Sequence, residues 1–370
     1  MSNRISRVEV WRCPLPMPRQ LHLGAITYRS RDYVVLRLTS ESGLTGAAIG
    51  YTRNTPLFES VRDLAPHLGG FADPKPIMVA DALKRRFAPG WGAIVRAASL
   101  IDIALWDIQA RELAVPLADL IGGTDRDLPL MAVAGYFLDQ RGAGAIVDEV
   151  REFVDGGYET IKLIVPGQDV KQDLAFVNAV AAVIPEDVAL AVDFHGAFTD
   201  LEAAVSYMRA FDRHGLRFIE DPFPSYETDI VIRSAARVAS PIASGEDLIS
   251  TSSYRQLLAG GIGYLRVDAT ATGGYSAVLE GIEAAEVHGA VVAPHIWPHI
   301  HQPLASRSAA VGMLELIPHQ SGSDPLDLLL QEPFPIVDGR WRPPEHQGLY
   351  LPLDWERVSA CATARWAGDC

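Results

Sequence analysis

Short apolar runs, each ending in one acidic or imidazole side chain, recur through the second half of the chain. Val188-Ala189-Leu190-Ala191-Val192 leads to Asp193-Phe194-His195, Arg217-Phe218-Ile219 to Glu220, and Pro241-Ile242-Ala243-Ser244-Gly245 to Glu246. Further on, Tyr264-Leu265-Arg266-Val267 leads to Asp268, Val291-Val292-Ala293-Pro294 to His295, and Met313-Leu314 to Glu315. Runs of this length predict buried strands, and the stretches between them, with helical spacing, predict covering helices. Earlier segments at 129–137 and 160–165 complete a set of eight strands. The alternation predicts a parallel α/β barrel rather than an all-helical solenoid.

The first third has a different rhythm. Strands are predicted at 8–13, 32–39 and 43–50, and helices at 56–68 and 93–112. The second helix rests on the spacing of Ala97, Leu100, Ile101, Ala104, Leu105 and Ile108. The segment holding His22, Tyr28 and Arg31, and the stretch Tyr51-Thr52-Arg53-Asn54, read as loops covering a substrate. His22, Tyr51 and Arg53 are therefore substrate-binding candidates, with ordinary polar surface as the alternative. The Gly122-Gly123-Thr124-Asp125 turn puts a boundary near residue 125. The division expected is 1–125, 126–320 for the barrel, and 321–370 packing back on the first unit.

Composition narrows the partners. A formal net charge of −14 argues against a nucleic-acid binder. It leaves room for an anionic small molecule, because a metal ion or a lysine can reverse the local field. Cys13, Cys361 and Cys370 form no metal-like or redox-like cluster; a bridge between the last two stays open, and a reduced cytoplasmic setting is the reading. No run is long and apolar enough to span a bilayer, so no membrane partner is expected.

The strand-end residues carry the chemistry. Asp193, Glu220 and Glu246 offer hard oxygen ligands of the kind Mg²⁺ prefers, with coordination left for a substrate carboxylate. Each acid alone would equally suit a helix cap. Alternation along a strand puts Asp193 and His195 on one face, and Lys162 and Ile164 on another. Lys162 can add positive charge at the substrate oxygens, or simply pair with a structural acid. His295 is the candidate general base, with Asp268 on the preceding strand end holding its other nitrogen. Glu315 is an orienting or proton-sharing candidate, with a salt bridge as the plain alternative.

Those residues resemble the mandelate racemase branch of the enolase superfamily over nearly the full length. The resemblance is carried by Gly157-Tyr158-Glu159-Thr160-Ile161-Lys162, Asp193, Phe218-Ile219-Glu220-Asp221-Pro222, Gly245-Glu246, Asp268-Ala269-Thr270-Ala271-Thr272-Gly273-Gly274 and Pro294-His295. It implies an N-terminal α+β capping domain completed by the C-terminal segment, a modified TIM barrel of (β/α)7β form, and a homo-oligomer. It implies Mg²⁺ on Asp193, Glu220 and Glu246, and a catalytic dyad of Asp268 and His295 with Glu315 nearby. Lys162 matches the first lysine of a Lys-X-Lys pattern whose second lysine is Ile164 here. A base on the face opposite the histidine is thereby missing. The expected activity is dehydration of an acid sugar to a 2-keto-3-deoxy acid, with His195 as an alternative proton donor or a packing group. Racemase, epimerase or lactone cycloisomerase chemistry is the alternative, as is a non-catalytic binding protein.

Overall fold

The computed structural model describes residues 4–23, 26–123 and 127–370. Its first element is a long antiparallel hairpin, β1 (Ile5–Leu23) against β2 (Ile26–Ser40), followed by β3 (Thr45–Tyr51) on the far side of β2. The segment with His22, Tyr28 and Arg31, expected as a loop, is the outer arm of this hairpin, with Leu21 opposite Tyr28 and His22 opposite Thr27. Pro14, Pro16 and Pro18 disguise it. They share one parity, so their missing N–H groups lie on one side of the strand, and the last β strand covers β1 only from Arg7 to Arg12. The helix Trp91–Glu112 packs across the sheet. A helix at Pro76–Arg86 escapes the periodicity because its Ile77 and Met78 face solvent. Thr124 and Asp125, where the closing turn and the boundary were expected, lie outside the described residues.

Eight parallel strands then form the barrel: β4 (Leu128–Ala134), β5 (Thr160–Ile164), β6 (Ala189–Asp193), β7 (Ile219–Glu220), β8 (Ile242–Ser244), β9 (Tyr264–Val267), β10 (Val291–Pro294) and β11 (Leu314–Leu316). Neighbours pair in order, β11 pairs back on β4, and a parallel bridge from Val292 to Val311 joins the tenth strand to the eleventh's approach. An α-helix follows each strand from β4 to β10, whereas two short 3₁₀ turns, His319–Ser321 and Leu326–Leu329, follow β11. This is the (β/α)7β form. β12 (Ile336–Val337) and β13 (Arg340–Trp341) cap the base of β4, and β14 (Ala364–Asp369) adds the outer strand of the first sheet beside β1.

The barrel interior is layered. Met131, Ala191, Phe218, Ala243 and Met313 form a buried apolar plug apart from the main core, with Tyr264 packed against it. Two residues beyond Phe218, Tyr264 and Met313 the inward side chains become polar, Glu220, Arg266 and Glu315 on β7, β9 and β11, and Lys162 on β5 joins them. A layer contributed by alternate strands is how an eight-stranded barrel fills itself, and here that layer is charged.

Candidate active site

The charged layer is a closed ring. Lys162 Nζ lies 2.9 Å from Glu220 Oε2 and 2.5 Å from Glu315 Oε1. Arg266 Nε donates to Glu220 Oε1 at 2.9 Å, and its Nη2 pairs with Glu315 Oε2. Two cations and two anions balance, so a ring sealed from water costs less than any of its members would alone. Arg266 Nη1 also donates to the carbonyls of Ala293 (2.9 Å) and Pro294 (3.1 Å), immediately before His295. Burial would lower the Lys162 ammonium's pKa, but Glu220, Glu315 and Asp193 outweigh it and hold it well above the usual lysine range. Burial would raise Glu315; Arg266 and Lys162 reverse that and keep it a carboxylate. Glu315 is thus ion-paired to both Lys162 and Arg266.

Above the ring sit the remaining acids. The carboxylates of Glu220, Asp221 and Glu246 are buried and bring ligand oxygens within 4.8 Å of one another. Glu246 stands two residues past β8, after Gly245, whose φ of +132° and contact with the Arg266 carbonyl exclude a side chain. Burial and the Glu220 charge push both Asp221 and Glu246 well above the usual carboxylate range. Crowded, desolvated carboxylates of this kind suit a hard dication, which relieves the repulsion. Asp193 pairs in register with Glu220 but is held differently: Lys162 Nζ lies 3.1 Å from its Oδ2, and the His195 backbone N–H donates to its Oδ1 at 2.8 Å.

His195 does not share a strand face with Asp193. β6 ends at Asp193, and His195 takes a left-handed φ of +48°. The turn folds it back, with Nδ1 3.3 Å from Asp193 Oδ1. Its side chain opens on a cavity of about 190 Å³ that Ile164, Phe194 and His22 also line. His22 is otherwise exposed, meeting Thr27 Oγ1 at 2.9 Å.

On the opposite wall, His295 Nδ1–H donates to Asp268 Oδ2 at 2.9 Å. Asp268 is itself fixed by the backbone N–H and hydroxyl of Thr270, both 2.7 Å from Oδ1. Burial would raise the Asp268 carboxyl, but the His295 hydrogen bond and charge hold it far below the usual range. Burial lowers His295, more than Asp268 restores. Burial thus favours the uncharged imidazole, with Nε2 as the nitrogen that carries the lone pair. Arg53 Nη2 and Glu246 Oε1 each lie 3.4 Å from that Nε2. His301 braces the turn beneath, accepting from the Ala269 N–H at 3.0 Å and donating to the Ile296 carbonyl at 2.7 Å. Tyr51 is buried against Trp297, with ring centroids 4.7 Å apart.

Eight strand-borne or loop-borne candidates thus meet in one place: Lys162, Asp193, Glu220, Glu246, Asp268, His295, Glu315 and Arg53. Two residues the sequence did not single out join them. Asp221 follows Glu220 directly; Arg266 betrays itself only as an arginine inside an apolar strand run, two residues before Asp268. Cys361 and Cys370 do not bridge: all three cysteines are free thiols. Among the described residues no helix is long and apolar enough to cross a membrane.

Comparison with known proteins agrees with this geometry. Residues 7–122 match the N-terminal domain of mandelate racemase/muconate lactonizing enzyme, and residues 145–357 match the enolase C-terminal domain-like family. A D-galactonate dehydratase from Verminephrobacter eiseniae is 31% identical over 290 residues, 73% of each chain. An L-talarate/galactarate dehydratase from Salmonella typhimurium is 28% identical over 331 residues, 86% of this chain and 80% of that one. The crystal structure of L-talarate dehydratase from Polaromonas sp. JS666, complexed with Mg and L-glucarate, superposes with a TM-score of 0.89 at 26% identity and covers 99% of both chains.

Proposed function

The chain belongs to the mandelate racemase/muconate lactonizing enzyme family of the enolase superfamily, and from that premise we propose that it is a Mg²⁺-dependent acid-sugar dehydratase. The observation that carries the reading is the asymmetry of the two walls. One holds a general base in its working tautomer, His295 on Asp268; the other presents Ile164 where a second lysine would stand. The similarity to dehydratases of galactonate and of talarate or galactarate points the same way.

In this reading Asp193, Glu220 and Glu246 hold the ion. When bound, Mg²⁺ supplies positive charge that orients the substrate carboxylate and stabilises the enolate. Lys162, kept as an ammonium, adds charge at the carboxylate oxygens. His295 Nε2 removes the proton α to the carboxylate, and Asp268 steadies the imidazolium that results. The β-hydroxyl then leaves with a proton, from His295 if both events occur on one face, or from His195 if they occur on opposite faces. Tautomerisation of the enol gives the 2-keto-3-deoxy acid. Closure of the ring around Lys162 argues against that lysine as a second base. His195 does put a titratable group on the second wall, and it keeps epimerisation as a second reading. Three free thiols suit a reducing cytoplasm, and the family's habit suggests a homo-oligomer.

A screen of sugar acids with Mg²⁺ in D₂O tests the proposal. Release of a 2-keto acid from at least one substrate is expected. Solvent deuterium at the α-carbon with inverted configuration and no keto acid would move the assignment to an epimerase.

A further inference from the structure

Two arginines are buried in the described part of the molecule, Arg31 and Arg266. Arg266 meets two carboxylates within hydrogen-bonding distance. Arg31 has no comparable partner. Its Nε donates to the Ser323 carbonyl at 2.8 Å, and its guanidinium lies over the rings of Tyr51 (5.0 Å) and Tyr28 (5.7 Å). Asp324, the acid nearby, accepts from the Tyr33 hydroxyl. Among the described residues nothing accepts from either Nη nitrogen of Arg31, and neither nitrogen is sealed in protein. Arg31 instead lines an open cavity of about 230 Å³ together with Tyr28, Tyr51, Arg53, Arg29, and Asp32, which is paired with Arg12 at 2.8 Å.

Desolvating a guanidinium without an anionic partner is costly, and its planar fork matches a carboxylate in bidentate geometry. The same cavity reaches the reacting end, because Arg53, which lines it, touches Glu246 and His295 Nε2. Arg53 is already engaged there and Arg29, which also lines the cavity, is exposed to solvent, leaving Arg31 as the buried cation of the lining with no hydrogen-bonded anion among the described residues. We propose that Arg31 clamps the distal carboxylate of the substrate, so that the enzyme takes diacid sugars in preference to the monoacids of the same configuration. This rests on the acid-sugar reading above, and it separates two substrate classes that both occur among the relatives. A monoacid would leave the fork facing a terminal hydroxyl, a weaker and singly bonded partner.

Matched pairs of six-carbon sugar acids, each diacid with its monoacid, titrated calorimetrically into the Mg²⁺-loaded enzyme and assayed for keto acid, test the clamp. At least one diacid should bind about 30-fold or more tightly than its monoacid, the scale of one charge-assisted bidentate pair. In R31Q that ratio should fall to within about twofold, and R31K, a point charge without the fork, should fall between. Equal affinities within every pair in the wild type, or no binding of any diacid, overturn the clamp without recourse to a variant. Diacid-selective binding without keto acid keeps the clamp and overturns the dehydratase reading. Keto acid from monoacids bound as tightly as diacids does the reverse.

Discussion

Arg266 Nε donates to Glu220 Oε1 at 2.9 Å, from the far side of a carboxylate whose other oxygen lies 2.9 Å from Lys162 Nζ. A residue at the metal-binding end of the barrel is thus aimed by two buried cations. Removing Arg266 leaves Glu220 and Glu315 with Lys162 alone between them. R266M should destabilise the fold by about 3–5 kcal/mol, the usual cost of breaking a buried ion pair on one side. R266K should recover only part, since one ammonium cannot span both acids and two carbonyls. Denaturant midpoints decide this; a midpoint for R266M equal to the wild type's would show that the ring carries no stability.

The proposed third metal ligand is Asp193, although Asp221 stands closer to Glu220 and Glu246 as a group. Asp221 Oδ1 already accepts from Ser244 Oγ at 2.6 Å, whereas Asp193 is held by groups a cation would displace or join. D193N should weaken Mg²⁺ binding at least about 10-fold, and D221N less than about threefold, by titration of the metal-free enzyme. The opposite order would transfer the ligand role to Asp221. Chelation of the metal should abolish turnover, and added Mg²⁺ should restore it.

His295 and His195 differ in what their loss should do. H295A should lower kcat by about 10³-fold or more and abolish exchange of the α-proton with solvent. H195Q should leave that exchange and lower keto-acid release by about 10²-fold if His195 delivers the proton to the leaving hydroxyl. Unchanged release in H195Q would leave His295 as the sole proton carrier, acting on one face.

A pH effect on stability lies away from the site. Asp102 is buried in the helix Trp91–Glu112 and accepts from the Ser276 backbone N–H at 3.1 Å and the Ser276 hydroxyl at 2.5 Å. Burial, only partly offset by Ser276, raises its carboxyl to about 7. The folded state then holds a proton that the unfolded chain releases near pH 4, so stability falls as pH rises from about 4 to 7 and is flat above. The shift corresponds to roughly 4 kcal/mol at most, at about 1.4 kcal/mol per pH unit. Melting curves from pH 5 to 8 should show this slope in the wild type and a shallower one in D102N. Parallel curves would remove Asp102 as its source.

Much of the site was legible along the chain because each barrel strand is an apolar run and its last residue must face the mouth. Asp193, Glu220, Asp268 and His295 announce themselves that way. The hairpin arm carrying Arg31 did not, because alternate prolines read as a loop until the free edge beside β1 accommodates them. His195 came to Asp193 by a left-handed turn and not by strand alternation, a backbone choice that no spacing of side chains records.

The sequence by itself determined the strand–helix alternation, the acid at each strand end, the His295 and Asp268 pair on successive strands, and the loss of the second lysine to Ile164. These are local or nearest-neighbour properties, written in periods of two and 3.6 residues. Only the closed barrel decided that Lys162, Glu220, Arg266 and Glu315 form one ring, and that Arg31 stands with no carboxylate of the described residues hydrogen-bonded to it beside the cavity that reaches His295. Closure and stagger of the sheet bring side chains from every second strand into one layer, so their partners lie 46 to 153 residues apart in sequence and are chosen by geometry that no run of residues contains.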